Sequence, residues 1–288
     1  MRIELVQFAP KFPGREENWE RIREWSRRSP ADIVVFPELS SCGYMYEKPE
    51  EIRPYVDAPS ALGELERISA ATGKLIVGGF AEQAAGARYN SAYAVGPQGT
   101  SIYRKIHLWN REKLLFREGG RPCMVEFQGR RIGIEVCYDI QFPELSAYLS
   151  RQGAELILAP TAWAVDAHGP SHGLHPHAFL AMATAYAYGI FVAVTNRTGP
   201  ERGAVFPGQS CLADPWGQIT ILGESEEHRV FEIPFEEVPL AKRPNPRNDL
   251  QTDPRMVIAP PGGTHGSRQR RSATQRPTRR SSRTRARR

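Results

Sequence analysis

The strongest constraint on the fold of this chain is the regular alternation of short apolar runs with amphipathic helical stretches. The run DIVVFPEL (residues 32–39) stays apolar until Pro37 and Glu38, as expected of a strand buried on both faces. KLIVGGF (74–80), GRRIGIEVCYD (129–139), AELILAP (154–160) and GIFVAVTN (189–196) repeat the pattern. Further strands are expected from Ile3 to Phe8, over 90–95 and in SIYRKIHL (101–108), the last two joined by a GPQG turn. Between the runs, REENWERIREWSRR (15–28) places Trp19, Ile22 and Trp25 at helical spacing, and helices are expected near 61–72, 143–152 and 176–188. With 288 residues and 40% hydrophobic content, the chain can bury a large core. One α/β domain over residues 1–258 fits this order.

Past Pro260 the composition turns to Gly, Ser, Thr, Gln, Pro and Arg, which cannot bury enough apolar surface to offset the entropy of ordering. Residues 259–288 are therefore expected to form a disordered Arg-rich tail. The formal charge of +6 comes from this tail, because residues 264–288 hold ten arginines and no acid, and the body is mildly acidic. The tail admits two readings, a solvated appendage or an electrostatic contact to nucleic acid or another acidic partner. No apolar stretch approaches the ~18–20 residues that span a bilayer, and the chain opens on an apolar strand rather than a signal-peptide pattern. A soluble, cytoplasmic protein is expected. Its four cysteines, Cys42, Cys123, Cys137 and Cys211, are too irregularly spaced for a disulfide framework or a structural zinc site.

Three polar residues stand at ends of expected strands: Glu38 after VVFP, Lys105 in YRKIHL and Cys137 in GIEVCYD. Sites in open parallel sheets gather outside the C-terminal strand ends, so residues distant in sequence can converge there. A thiol needs a base or a neighbouring cation to become a thiolate, and its attack on a carbonyl creates an oxyanion that needs a fixed donor. Taken singly, each residue has an ordinary explanation: a buried cysteine, a capping glutamate, a solvated lysine.

The surrounding segments change that weighing. VVFPELSSCGY around Glu38, YRKIHLWNREKLLFREG around Lys105 and GIEVCYDIQFPE around Cys137 resemble three long motifs of the nitrilase (carbon-nitrogen hydrolase) superfamily, in order and spacing. The resemblance runs from Gln7 to about Val257 and includes FPGQSCLADPWG (206–217), similar to a late hairpin of that family. It implies a four-layer α-β-β-α sandwich, a homodimer or larger oligomer formed through the outer helices, and no metal or organic cofactor. By the same resemblance Glu38 is general base and then acid, Cys137 the nucleophile, and Lys105 with the backbone N–H of Tyr138 the oxyanion holders. Glu112 falls on an additional active-site glutamate.

Two departures stand out. Where many members carry Arg-Ala-x-Glu-Asn, this chain has Thr184, Ala185, Tyr186, Ala187 and Tyr188. The segment PTAWAVDAHGPSHGLHPH (160–177) is also atypical and is expected to border the pocket, with Trp163 and Asp166 able to touch substrate. It holds His168, His172, His175 and His177, but a Gly/Pro-rich loop lacks the rigid i, i+4 placement of helical zinc motifs, so no metal site is expected.

Cys137 followed by Tyr-Asp-x-x-Phe-Pro-Glu resembles amidase and carbamoylase branches more than true nitrilases. The expected reaction is hydrolysis of a small linear amide through a thioester, with N-carbamoyl hydrolysis as the near alternative and nitrile hydrolysis as a further one. From another class, the chain can be read as a nucleic-acid-associated protein acting through its tail, against which the intact Glu38, Lys105 and Cys137 count.

Overall fold

The computed structural model describes residues 1–165 and 174–242. The tail, Asp166, His168 and His172 lie outside the described residues. The first half runs β1 (Arg2–Gln7), α1 (Arg15–Arg28), β2 (Ile33–Val35), α2 (Pro49–Ile52), α3 (Gly63–Thr72), β3 (Leu75–Ala84), β4 (Ala87–Gly96), β5 (Gly99–Arg104) and α4 (Glu112–Leu115). The second runs β6 (Cys123–Phe127), β7 (Arg130–Ile134), α5 (Pro143–Arg151), β8 (Leu156–Thr161), α6 (Pro176–Tyr188) and β9 (Phe191–Asn196). A β10–β11 hairpin (Thr198–Glu201, Ala204–Pro207), β12 (Cys211–Ala213), β13 (Ile219–Ile221), β14 (Glu227–Glu232) and α7 (Glu237–Ala241) complete it.

Apart from the β10–β11 hairpin, which pairs with itself, these strands form two six-stranded sheets, in the orders β14-β1-β2-β3-β4-β5 and β13-β12-β9-β8-β7-β6. Parallel β1, β2 and β3 make the centre of the first, and parallel β7, β8 and β9 that of the second. Strand periodicity explains the layering. Ile3, Leu5, Ile33, Val35, Leu75 and Val77 share one buried cluster with Ile132, Ile134, Leu156 and Leu158 of the other sheet. The alternate residues Val6, Val34, Ile76, Tyr93 and Val95 instead meet Trp19 and Ile22 of α1 and Leu65 and Ile68 of α3. On the far side, Leu145 and Leu149 of α5 and Ala178, Ala181 and Ala185 of α6 cover the second sheet. The result is the α-β-β-α sandwich that the family resemblance implied.

The helices at 15–28 and 176–188 have the bounds read from sequence, whereas the strand expected over SIYRKIHL stops at Arg104. Beyond it the backbone keeps one ladder bond, from Lys105 N–H to Asn90 C=O at 2.9 Å. The chain then turns away, with Ile106 N–H directed at the Tyr103 hydroxyl at 3.4 Å. No helix among the described residues is long and apolar enough to cross a membrane.

The turn after β2 rests directly on β3. Gly79 N–H donates to Pro37 C=O at 3.0 Å, and the Gly79 carbonyl accepts Ser40 Oγ at 3.1 Å. A Cβ at Gly79 would lie 2.3 Å from Leu39 N and 2.6 Å from Glu38 Cα, which only backbone displacement can relieve. Gly79→Ala is therefore expected to destabilise the fold by about 1–3 kcal/mol, as overpacking does. Because it moves Glu38, the general base that the family resemblance implies, it is also expected to lower kcat/KM by about 100-fold. Urea unfolding and ammonia release on the same variant check both; full activity at lowered stability would mean that Glu38 does not depend on this contact.

Candidate active site

Glu38, Lys105 and Cys137 leave their strands at neighbouring ends of the two sheets. Glu38 follows β2, and its N–H points to the carbonyl of Thr161 at the end of β8 across the sandwich, at 3.4 Å. Lys105 follows β5 and Cys137 follows β7. Glu38 and Lys105 are fully buried, and Glu112, at the start of α4, is nearly so.

One ammonium holds two carboxylates. Lys105 Nζ donates to Glu38 Oε1 at 2.7 Å and to Glu112 Oε1 at 2.8 Å. Asn90 Nδ2 donates to Glu38 Oε1 at 2.7 Å, the Tyr44 hydroxyl to Glu112 Oε1 at 2.6 Å, and Trp109 N–H to Glu112 Oε2 at 3.0 Å. Among the described residues Glu38 Oε2 is buried without a hydrogen-bond partner, an open acceptor beside the donors that hold Oε1. Burial alone would push the Lys105 ammonium down, but Glu112 and Glu38 outweigh it and hold it above its ordinary value. Burial pushes Glu112 up, reinforced by the charge of Glu38 and opposed by Lys105.

Cys137 has φ +49°, a left-handed conformation that costs a non-glycine residue about 1–2 kcal/mol. It opens a 3₁₀ turn over Cys137–Gln141. Asp139 holds this turn: its Oδ2 accepts Val136 N–H at 3.0 Å and the Tyr103 hydroxyl at 2.8 Å, and its Oδ1 accepts His107 N–H at 2.9 Å. Tyr103 and His107 flank Lys105, so one buried carboxylate ties the lysine segment to the cysteine turn. Burial pushes the Cys137 thiol well above its ordinary value and Glu38 adds to this, while Lys105 and a hydrogen bond from the Ala162 backbone pull it back. Burial thus favours a neutral thiol at rest, with the Glu38 carboxylate close enough to act on it.

Tyr138 is the second residue of the turn, where a helical N–H has no partner within the turn. Trp163 is half-buried and fixed through its backbone, with N–H donating to Asn196 Oδ1 at 2.8 Å and C=O accepting Asn196 Nδ2 at 3.2 Å. His175 and His177 lie with ring centroids 5.7 Å apart, and His177 Nε2 is 3.0 Å from the Gln209 carbonyl. Burial pushes His177 down to about 4, so it is neutral near pH 7. A cavity of about 450 Å³ adjoins Glu112, lined by Tyr44, Trp109, Leu115, Phe116 and Arg202 among others.

Asn90 and Tyr44 escaped the reading of the sequence, though signals existed. Asn90 opens the strand expected over 90–95, and Tyr44 closes the segment that carries Glu38. Glu135 was missed as well. It is fully buried two residues before Cys137, with Ser146 Oγ donating to Oε1 at 2.7 Å and Oε2 without a partner among the described residues.

The family model for carbon-nitrogen hydrolases matches residues 2–242. The chain is 32% identical to an (R)-stereoselective amidase of a Pseudomonas species, over 90% of this chain and 93% of the relative. It is 33% identical to a nitrilase of Pyrococcus abyssi, over 88% and 97%. Among solved structures, the NitN amidase of Nesterenkonia sp. AN1 superposes with a TM-score of 0.72 at 28% identity, covering 88% of this chain and 98% of that one. Structures of that amidase include a Cys→Ala mutant in complex with butyramide and a covalent acetamide adduct on the active-site cysteine.

Burial pushes the Glu135 carboxyl up to about 8, opposed by the hydrogen bond from Ser146 and reinforced by the charge of Asp139. Between about 4.5, its unperturbed value, and 8 the native state therefore holds a proton that the unfolded state has lost, and stability falls as pH rises through that window. Glu135→Gln removes the titration. Denaturant midpoints at pH 5 and pH 8 are expected to differ less in the variant than in the parent, and equal pH dependence would show that Glu135 is ionised in the fold.

Proposed function

This chain belongs to the carbon-nitrogen hydrolase family, and we propose that it hydrolyses the C–N bond of small linear amides through a thioester on Cys137. The observation that carries this reading is the buried Lys105 ammonium bridging Glu38 and Glu112 while Glu38 Oε2 stays free. A free, buried carboxylate oxygen beside a neutral thiol is the arrangement a general base requires.

Glu38 takes the proton from Sγ as sulfur attacks the carbonyl carbon. The tetrahedral oxyanion is held by the Lys105 ammonium and the Tyr138 N–H, which are charged or oriented before reaction and need no reorganisation. Glu38 then passes its proton to the leaving nitrogen, the C–N bond breaks and ammonia departs, leaving the acyl group on sulfur. Water, deprotonated by Glu38, attacks the thioester, and the thiolate leaves with the proton that Glu38 returns. Glu112 shares Lys105 with Glu38 and so keeps Glu38 from being fully neutralised. Trp163, on the segment following β8, borders the substrate, and Asp166 is assigned the same role.

Support for amides comes from the Pseudomonas and Nesterenkonia amidases, the latter with butyramide bound in its cysteine mutant. Nitrile hydrolysis is the second reading, favoured by the nitrilase of Pyrococcus abyssi at 33% identity. The outer surface of α5 and α6 exposes Tyr148, Phe179 and Tyr186, which supports a homodimer packed through these helices.

Ammonia release from aliphatic amides, ω-amides, N-carbamoyl amino acids and nitriles tests the assignment. Turnover of amides that disappears in Cys137→Ala is expected, and Lys105→Ala is expected to lose about 10²–10³ in kcat, the effect of removing one oxyanion donor. Turnover surviving in Cys137→Ala would overturn the thiol mechanism, and turnover of nitriles alone would select the second reading.

A further inference from the structure

Arg197 and Glu201 form an ion pair that is almost completely enclosed, with side chains 1% and 2% exposed. An enclosed pair contributes little net stability against an apolar pair of the same volume, so its presence calls for another role. Glu201 Oε2 receives Arg197 Nη1, while Oε1 faces the other way and accepts the backbone N–H groups of Tyr44, at 2.8 Å, and of Met45. The Arg197 guanidinium lies 4.1 Å over the Phe206 ring, and Phe206 meets Tyr44 edge-on with centroids 6.0 Å apart. Tyr44 is therefore held twice, through its backbone by Glu201 and through its ring by Phe206. Its hydroxyl ends on Glu112 Oε1.

The loop so gripped begins at Glu38 and has little freedom to settle by itself. Leu39 has φ +46° and Gly43 φ +87°, and a Cβ at Gly43 would sit 3.1 Å from Glu201 Oε2 and 2.7 Å from Phe12. Left-handed residues persist where the surroundings over-determine them. Here the surroundings are the hairpin of β10 and β11 and Arg197, the residue that links β9 to it.

We propose that the Arg197–Glu201 pair is a positioning device that sets the Tyr44 hydroxyl on Glu112 and thereby controls how Lys105 is shared between Glu112 and Glu38. Arg197 acts on Glu201, Glu201 on the Tyr44 backbone, and Tyr44 on Glu112; neither member of the pair touches the reacting atoms. The groups facing Glu112 are Lys105 after β5, Glu38 after β2, Tyr44 from the loop and, across the site, Cys137 after β7. Tyr44 and Lys105 favour the ionised Glu112, whereas Glu38 opposes it. Losing the Tyr44 donor raises the pH at which Glu112 ionises. Protonated Glu112 leaves Lys105 to Glu38 alone, and a carboxylate paired exclusively with an ammonium is a poorer base toward the Cys137 thiol.

The inference rests on the roles given above to Glu38 and Cys137, so it is tested with two readouts. One is kcat/KM for amide hydrolysis against pH. The other is the rate at which iodoacetamide alkylates Cys137, followed by mass spectrometry of its peptide, which requires no substrate. Arg197→Met with Glu201→Leu replaces the pair by apolar side chains and avoids an unpaired buried charge. In this variant and in Tyr44→Phe, the acid limb of both profiles is expected to move up by about one pH unit, the effect of losing one hydrogen bond to an ionised group. Combining all three substitutions is expected to add no further shift, since they break one chain of contacts. If the paired variant does not fold, Glu201→Gln, which keeps an acceptor without the charge that anchors it, is expected to move the limb in the same direction. An unmoved limb in a folded variant, or fully additive shifts, would overturn the positioning role and leave the pair a merely structural one. Absence of ammonia release from wild type with the alkylation limb still shifted would instead count against the amide reading and keep the positioning device.

Discussion

The site depends on one buried ammonium shared by two buried carboxylates. Isolated there, any of these three charges would be prohibitively costly, and each is tolerable only because the other two and their neutral donors are in place. The sharing is uneven in a useful way. Among the described residues, Glu112 spends both of its oxygens on donors and Glu38 one, so the surplus negative charge is concentrated at Glu38 Oε2. A dry environment magnifies that surplus, as it magnifies the attraction between Lys105 and a nascent oxyanion.

Holding this cluster explains several features that local preference would oppose. Cys137 adopts a left-handed conformation, Gly79 leaves room where a methyl group would strike the Glu38 backbone, and Asp139 bonds both the cysteine turn and the residues around Lys105. Each device ties one strand end to another. The two sheets supply the rigid base, because their inner faces interlock in a single apolar cluster that leaves the strand ends little room to move.

The Arg197–Glu201 pair belongs to the same logic at one remove. It converts a strained loop, whose own bonds are a short turn of Cys42 and Gly43 N–H on Leu39 C=O, into a fixed support for Tyr44. A fully buried arginine is expensive to keep, and here its charge orders a glutamate that in turn orders a backbone segment.

Sequence alone determined the orders β1-α1-β2-α3-β3-β4-β5 and β7-α5-β8-α6-β9, the bounds of the helices at 15–28 and 176–188, and the expectation that Glu38, Lys105 and Cys137 stand at strand ends. These are local properties: apolar periodicity follows burial, and strand ends follow from Pro, Gly and charge. The sandwich itself was available only by resemblance to a family, because a run buried on both faces reads alike whether helices or a second sheet cover it. Only the tertiary structure brought Asn90 and Tyr44 to the carboxylates and Arg197 and Glu201 to Tyr44. Their sequence separations from the partners they touch range up to 157 residues, and no local pattern encodes a contact of that kind. Which oxygen of Glu38 stays free is likewise a property of the packed site, decided by where Lys105 and Asn90 arrive when the sheets close.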